Sequence, residues 1–245
     1  ALIVARRLPS NAEFAGLGAG GDEALRAALR GLMQGPGFHA FLLDGANDRL
    51  HTDAFFNGLA FQLANLNNAR LYPVGANRFY ADVPTNAAER AEKRFWTGSY
   101  RYSLARAPLE LIAHVVENDL PYTEILTANY TMVNPTAAYI LRSNVVFPDN
   151  ENQAHFLPGQ NRGQVLRDEF LQVNNMPGRG VQVLSHGPFV DYPHAGLLNT
   201  LAFLNRYPTT ESNRNRARAR WAYYHFLGVD IDQSAPRTTD PEALA

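Results

Sequence analysis

Four arginines fall within seven residues, at Arg214, Arg216, Arg218 and Arg220, and Trp221 follows directly. Guanidinium forks bind carboxylates and phosphates bidentately and stack on aromatic rings, so the run reads as an anion- or partner-binding segment. On a helix, residues two apart are rotated by about 200°, which puts Arg214 with Arg218 on one face and Arg216 with Arg220 on another. The competing expectation, and the stronger one, is structural. Each arginine then pairs with an acid of this chain, such as Glu211, Asp191, Asp230 or Asp232, and lays its stem over the apolar Trp221-Ala222-Tyr223-Tyr224.

A second constellation is Ser185-His186-Gly187-Pro188-Phe189-Val190-Asp191-Tyr192-Pro193-His194. Two imidazoles and a carboxylate within ten residues make His186, Asp191 and His194 a weak metal or ligand loop. Ser185 and His186 are a poor nucleophile and base, because adjacent side chains seldom face each other. Neither a G-x-S-x-G elbow nor an H-E-x-x-H helix occurs. The stronger expectation is a structural loop whose histidines bond backbone carbonyls, with no catalytic residue and no metal. Asp44, Asp48 and Asp53, and separately Asp149-Asn150-Glu151-Asn152, offer oxygens that calcium favours. They lack the alternating order of a calcium loop, so caps and turns are expected instead. His39, His51, His114, His155 and His225 are isolated, and His114 and His225 fall in helical stretches where a packed imidazole is the default.

The chain that must position these groups has 245 residues, 46% hydrophobic and 18% charged, enough for one large core. Its formal charge of -1 removes the long-range electrostatic case for a nucleic-acid partner. With no cysteine, disulfides, thiolate metal sites and covalent c-type haem attachment within this chain are excluded. No run approaches the roughly 18 apolar residues of a membrane-spanning helix. Ala1 to Val4 is too short for a signal peptide, so an exported protein would have lost its signal already.

Periodicity predicts a mainly α protein, a helical single unit with a long loop-rich excursion and at most short strands. Ser10 and Glu13 have capping-box spacing. Asp22 is placed to cap a second helix carrying Leu25, Ala28, Leu29 and Leu32, which Gly35-Pro36-Gly37 ends, and a third starts near Phe38. Phe55, Leu59, Leu63 and Leu66 make a stripe from Asp53 to about Asn67. Asn86 and Glu89 open a long helix to about Ser103, and Pro108 suits the first turn of the next. The helical body thus covers 10–127. The excursion covers 128–192, with Val145-Val146-Phe147 and Val181-Gln182-Val183-Leu184 as strand candidates. Closing helices over 193–228 stop at Gly228, and an acidic, extended tail follows over 229–245.

Three stretches carry a family resemblance. Leu197-Leu198-Asn199-Thr200-Leu201-Ala202-Phe203-Leu204 with Tyr207-Pro208-Thr209-Thr210, Asn213-Arg214-Asn215-Arg216-Ala217-Arg218 and Phe226-Leu227-Gly228 is the first. Leu120 to Asn134 is the second, and Phe41 to Leu50 the third. In their order along the chain they resemble large, uncharacterised bacterial proteins first noted in planctomycetes, which are exported and string domains of unknown function beside a c-type cytochrome module. The resemblance implies a periplasmic or extracellular bacterial protein and a Cys-x-x-Cys-His motif beyond the acidic tail, so that this chain is a fragment or a processed subunit. It implies no reaction.

The expected function is therefore a non-catalytic helical module that docks or shields a neighbouring haem module or redox partner. The chain itself would hold no cofactor, the c-type haem belonging to an adjoining module or partner. Protein partners or a larger assembly, without nucleic acid or a transmembrane segment, complete that expectation. The alternatives are a structural assembly subunit and a secreted enzyme acting on a polysaccharide-like polymer, for which Asp44, Asp48 and Glu124 are the candidate acids.

Overall fold

Ser10 and Glu13 close the capping box that their spacing predicts. Glu13 Oε2 accepts from the Ser10 amide at 2.6 Å and the Glu13 amide donates to Ser10 Oγ at 3.3 Å. They open α2 (Asn11–Leu17), which follows a single turn, α1 (Leu2–Ala5). The computed structural model describes residues 2–17, 20–56, 86–172, 182–191, 193–207 and 216–234. Next come α3 (Gly21–Leu32) and α4 (Pro36–Leu50). Asp22 lies inside the first turn of α3 rather than at its cap, which is Gly20. Pro36 begins α4 because its missing N–H costs nothing there. A 3-10 turn, Thr52–Phe56, holds the start of the Asp53 to Asn67 stripe, and the rest of that stripe lies outside the described residues.

The central element is α5 (Ala87–Glu117), 31 residues long. The expected break at Pro108 does not occur: the proline sits inside this one helix. An interior proline removes a backbone bond and crowds the preceding carbonyl, at a cost near 3 kcal/mol. Burial offsets that cost here. Leu104, Ala105, Ala107, Leu109, Leu111, Ala113 and Val115 are all buried, so other elements surround the stretch around Pro108. It packs against α4, the 3-10 turn and the elements that follow.

Those are α6 (Glu124–Thr127), β1 (Thr131–Val133), α7 (Pro135–Ile140), β2 (Leu157–Gly159), β3 (Arg162–Gln172), β4 (Gln182–Asp191), α8 (Leu201–Arg206) and α9 (Arg216–Ala222). A π-helical turn, Tyr223–Leu227, ends at Gly228 in the left-handed conformation, where the sequence places the stop. β1 pairs antiparallel with β2, and β3 with β4. The mainly helical class holds, but the excursion is more ordered than its composition indicates. Val145-Val146-Phe147 is not a strand, whereas Gln182 to Leu184 belongs to a hairpin of 11- and 10-residue strands. Residues 229–234 do not run extended, because Ile231–Gln233 turn back on the body. Two buried clusters meet along α5, one around Tyr100, Val133 and Phe147, the other around Leu111, Leu197 and Phe203. No helix among the described residues is long and apolar enough to cross a membrane.

Candidate functional site

The arginine run divides between two faces, as its two-residue spacing requires. Arg218 turns toward α8, donating from Nε to the Tyr207 carbonyl at 2.7 Å and from a terminal nitrogen to the Leu204 carbonyl at 3.1 Å. A cation there satisfies carbonyls that the end of α8 leaves open. Arg220 turns toward the tail. Its fork donates to both Asp230 oxygens, at 2.8 and 2.7 Å, and it also pairs with Asp232. That fork holds the Asp230 carboxyl below the usual carboxylate range. Arg216 is exposed, with no ion pair among the described residues, and Arg214 lies outside them. Arg220 thus pairs with two acids of this chain, and Arg218 bonds backbone carbonyls. Only Arg216 of the described three is turned to solvent.

Trp221 anchors an aromatic stack. Its ring lies 5.6 Å from Tyr207 and 5.6 Å from His225, nearly parallel to both, and Tyr224 meets it edge-on. The guanidinium of Arg220 sits 5.5 Å from the Trp221 ring centre. His225 Nε2 is 2.9 Å from the Tyr207 hydroxyl, while its Nδ1 is buried without a hydrogen-bond partner among the described residues. Burial, reinforced by Arg49, His51 and Arg206, pushes the His225 imidazole below its ordinary pKa. Burial likewise raises the Tyr207 hydroxyl. The pair therefore stands neutral near pH 7.

On the inner side of the π turn, His225 and Phe226 close a cavity of about 350 Å³. Phe41, Leu42 and Leu50 of α4, Ile112 of α5 and Ile125 of α6 form its other apolar walls. Gly45 and Ala46 leave room on the α4 side, where a Cβ built on Gly45 meets nothing within 4 Å. Among the described residues Arg49 is the one charged side chain of the lining, and no carboxylate belongs to it.

The other sequence candidates come apart. His186 pairs across the hairpin with Leu166 and Asp191 with Arg162. His186 and Asp191 lie five positions apart along β4, a Cα span of roughly 16 Å. The segment is strand, not the loop expected. His194 Nε2 accepts from the Asn161 amide at 3.0 Å. Asp44 pairs with Arg6 at 2.7 Å in an exposed bridge. Asp149 and Asn152 accept from Glu151 and Ala154 amides, as turn residues do. Among the described residues no three metal-ligating side chains gather.

One cluster has no local signature at all. Glu110, 4% exposed, accepts from Arg106 at 2.6 and 3.0 Å through one oxygen. Its second oxygen faces His39 Nε2 at 3.2 Å, and His39 Nδ1 faces Glu117 at 3.0 Å. His39 is 71 positions from Glu110 in the chain, a separation that no spacing rule spans. The cluster ties α4 to α5 beside the cavity. No family model, no curated protein and no solved structure matches this chain.

Proposed function

We propose that this chain is a non-catalytic helical module of an exported, c-type-cytochrome-associated protein, which docks or shields a neighbouring haem-bearing module. The observation that carries the reading is the outer edge of the C-terminal segment. Tyr223, Tyr224, Leu227 and Val229 are all exposed along it, Leu227 at 61%. Contiguous exposed apolar side chains rimmed by polar ones mark contact surfaces. Tyrosine suits such a surface because it brings apolar area at low entropic cost. The Arg220 clamp on Asp230 and Asp232 fixes the direction in which the chain leaves this edge. The resemblance puts a haem-attachment motif farther along the sequence, which makes the haem-bearing module the occupant of choice.

The test is isolation of the protein from its source with an antibody against this chain, followed by an absorption spectrum and haem staining after denaturing electrophoresis. A Soret band with covalently held haem in stoichiometric amount is expected. Colourless material with partners that lack haem overturns the reading in favour of an assembly subunit. Release of sugars from a polymer would instead establish the enzyme alternative.

A further inference from the structure

The cavity under the π turn combines three properties that scaffold alone does not call for. It is concave and large enough for a ligand, since small-molecule pockets begin near 300 Å³. Its walls are apolar and come from α4, α5, α6 and the π turn, so a molecule inside would touch all of them. Among the described residues its only charge is positive, from Arg49. That guanidinium makes no ion pair or hydrogen bond among the described residues, although Asp48 and Asp44 lie on its own helix. A further fact concerns the wall itself: His225 is held neutral, which leaves an uncharged ring facing an apolar body.

We propose that this cavity binds a small amphipathic monocarboxylate, its apolar body against Phe41, Ile112 and Phe226 and its carboxylate on the Arg49 fork. A single guanidinium matches a planar carboxylate bidentately, whereas a phosphate dianion calls for more than one cation in the lining. At roughly 30 Å³ per non-hydrogen atom, the volume accommodates an acid of about ten to twelve such atoms. Gly45 is part of the fit, because any side chain at that position would project into the space the ligand takes.

Decanoate is the probe, titrated into the full chain by calorimetry below its micellar concentration. Saturable one-to-one binding is expected, with at least tenfold weaker binding of 1-decanol, which keeps the chain and loses the charge. Arg49→Gln should weaken decanoate at least tenfold and leave decanol unchanged. Gly45→Leu should abolish both, with Ala46→Val as a milder block should the leucine disturb folding. Excess inorganic phosphate should not displace the ligand. Absence of saturable decanoate binding overturns the proposal. So does binding that both Arg49→Gln and Gly45→Leu leave intact, which would place the ligand elsewhere on the surface.

Discussion

Replacing Glu110 by Gln asks whether the junction of α4 and α5 is held by charge. The side chain keeps its volume, so no cavity term enters, and the amide carbonyl can still accept from Arg106. What is lost is the carboxylate between a guanidinium at 2.6 Å and an imidazole at 3.2 Å. Hydrogen bonds to charged groups contribute about 1.5–3 kcal/mol each, and breaking a fully buried pair costs about 3–5 kcal/mol. Arg106 and His39 are 27% and 33% exposed, so both regain water when the carboxylate goes. The expected loss is therefore near the lower bound, about 2 kcal/mol. Urea unfolding followed by circular dichroism at 222 nm reads this as a midpoint shift of roughly 1 M, for a slope of about 2 kcal/mol/M. Glu117→Gln is the control, because that carboxylate is itself 32% exposed and should cost under about 1 kcal/mol. A double-mutant cycle with His39→Ala should return a coupling of about 0.5–1 kcal/mol. A Glu110→Gln loss below 0.5 kcal/mol, or one equal to that of Glu117→Gln, would refute the reasoning.

Four further outcomes follow from named contacts. The Arg7 fork and the Ser10 amide lower the Glu13 carboxyl to about 2, so its contribution to stability is present above 4.5 and fades as pH falls through about 2. An NMR titration should find that midpoint and find it moved up in Arg7→Ala. His225 runs the other way: its folded pKa is lowered, chiefly by burial, so the unfolded chain takes the proton first and stability drops as pH falls below about 6.5. His225→Gln should flatten the thermal midpoint between pH 7 and 5, and an unchanged slope would sink the claim. Gly196→Ala should destabilise by about 2 kcal/mol or more, since Gly196 has φ +51° and its Cβ would meet the Ile125 carbonyl. Arg218→Gln should cost about 1–2 kcal/mol through the Tyr207 and Leu204 carbonyls, while exposed Arg216→Gln stays within about 0.5 kcal/mol.

The parts of the fold that were legible beforehand are those whose cause lies within four residues. The Ser10 and Glu13 box and the Gly228 stop both satisfy their own orphan groups locally. Asn134-Pro135 carried the same kind of signal: Asn134 Oδ1 accepts from the Ala137 amide at 2.9 Å and Pro135 follows as the first helical residue. It was masked by the surrounding Pro and Gly, which read as loop. Pro108 misled for the opposite reason, because its local penalty is real and only burial of the stretch around it outweighs it. The β3–β4 hairpin was opaque. Arg167-Asp168-Glu169 interrupts any alternation in β3, and its register shifts twice, so the pairing is set by the partner strand. The cavity draws on residues 41–50, 112–125 and 225–226, and nothing in their spacing says that they meet.

The arginine run shows how one spacing can serve two ends. Alternation with alanine or asparagine sends successive guanidinium groups to opposite sides of α9, and the structure uses both sides. Arg218 reaches back to the carbonyls that close α8, and Arg220 reaches forward to Asp230 and Asp232 beyond the π turn. The turn between Arg220 and Asp230 is thereby pinned at both ends. π-helical turns are uncommon because their backbone geometry is poor, and they persist where surrounding contacts over-determine them. Here the determinants are those two arginines, the Trp221 stack on Tyr207 and His225, and the left-handed Gly228. What the pinned turn accomplishes is to present His225 and Phe226 inward to the cavity and Tyr223, Tyr224 and Leu227 outward to solvent. A contact made on the outer edge is thus only one turn of backbone away from the inner wall.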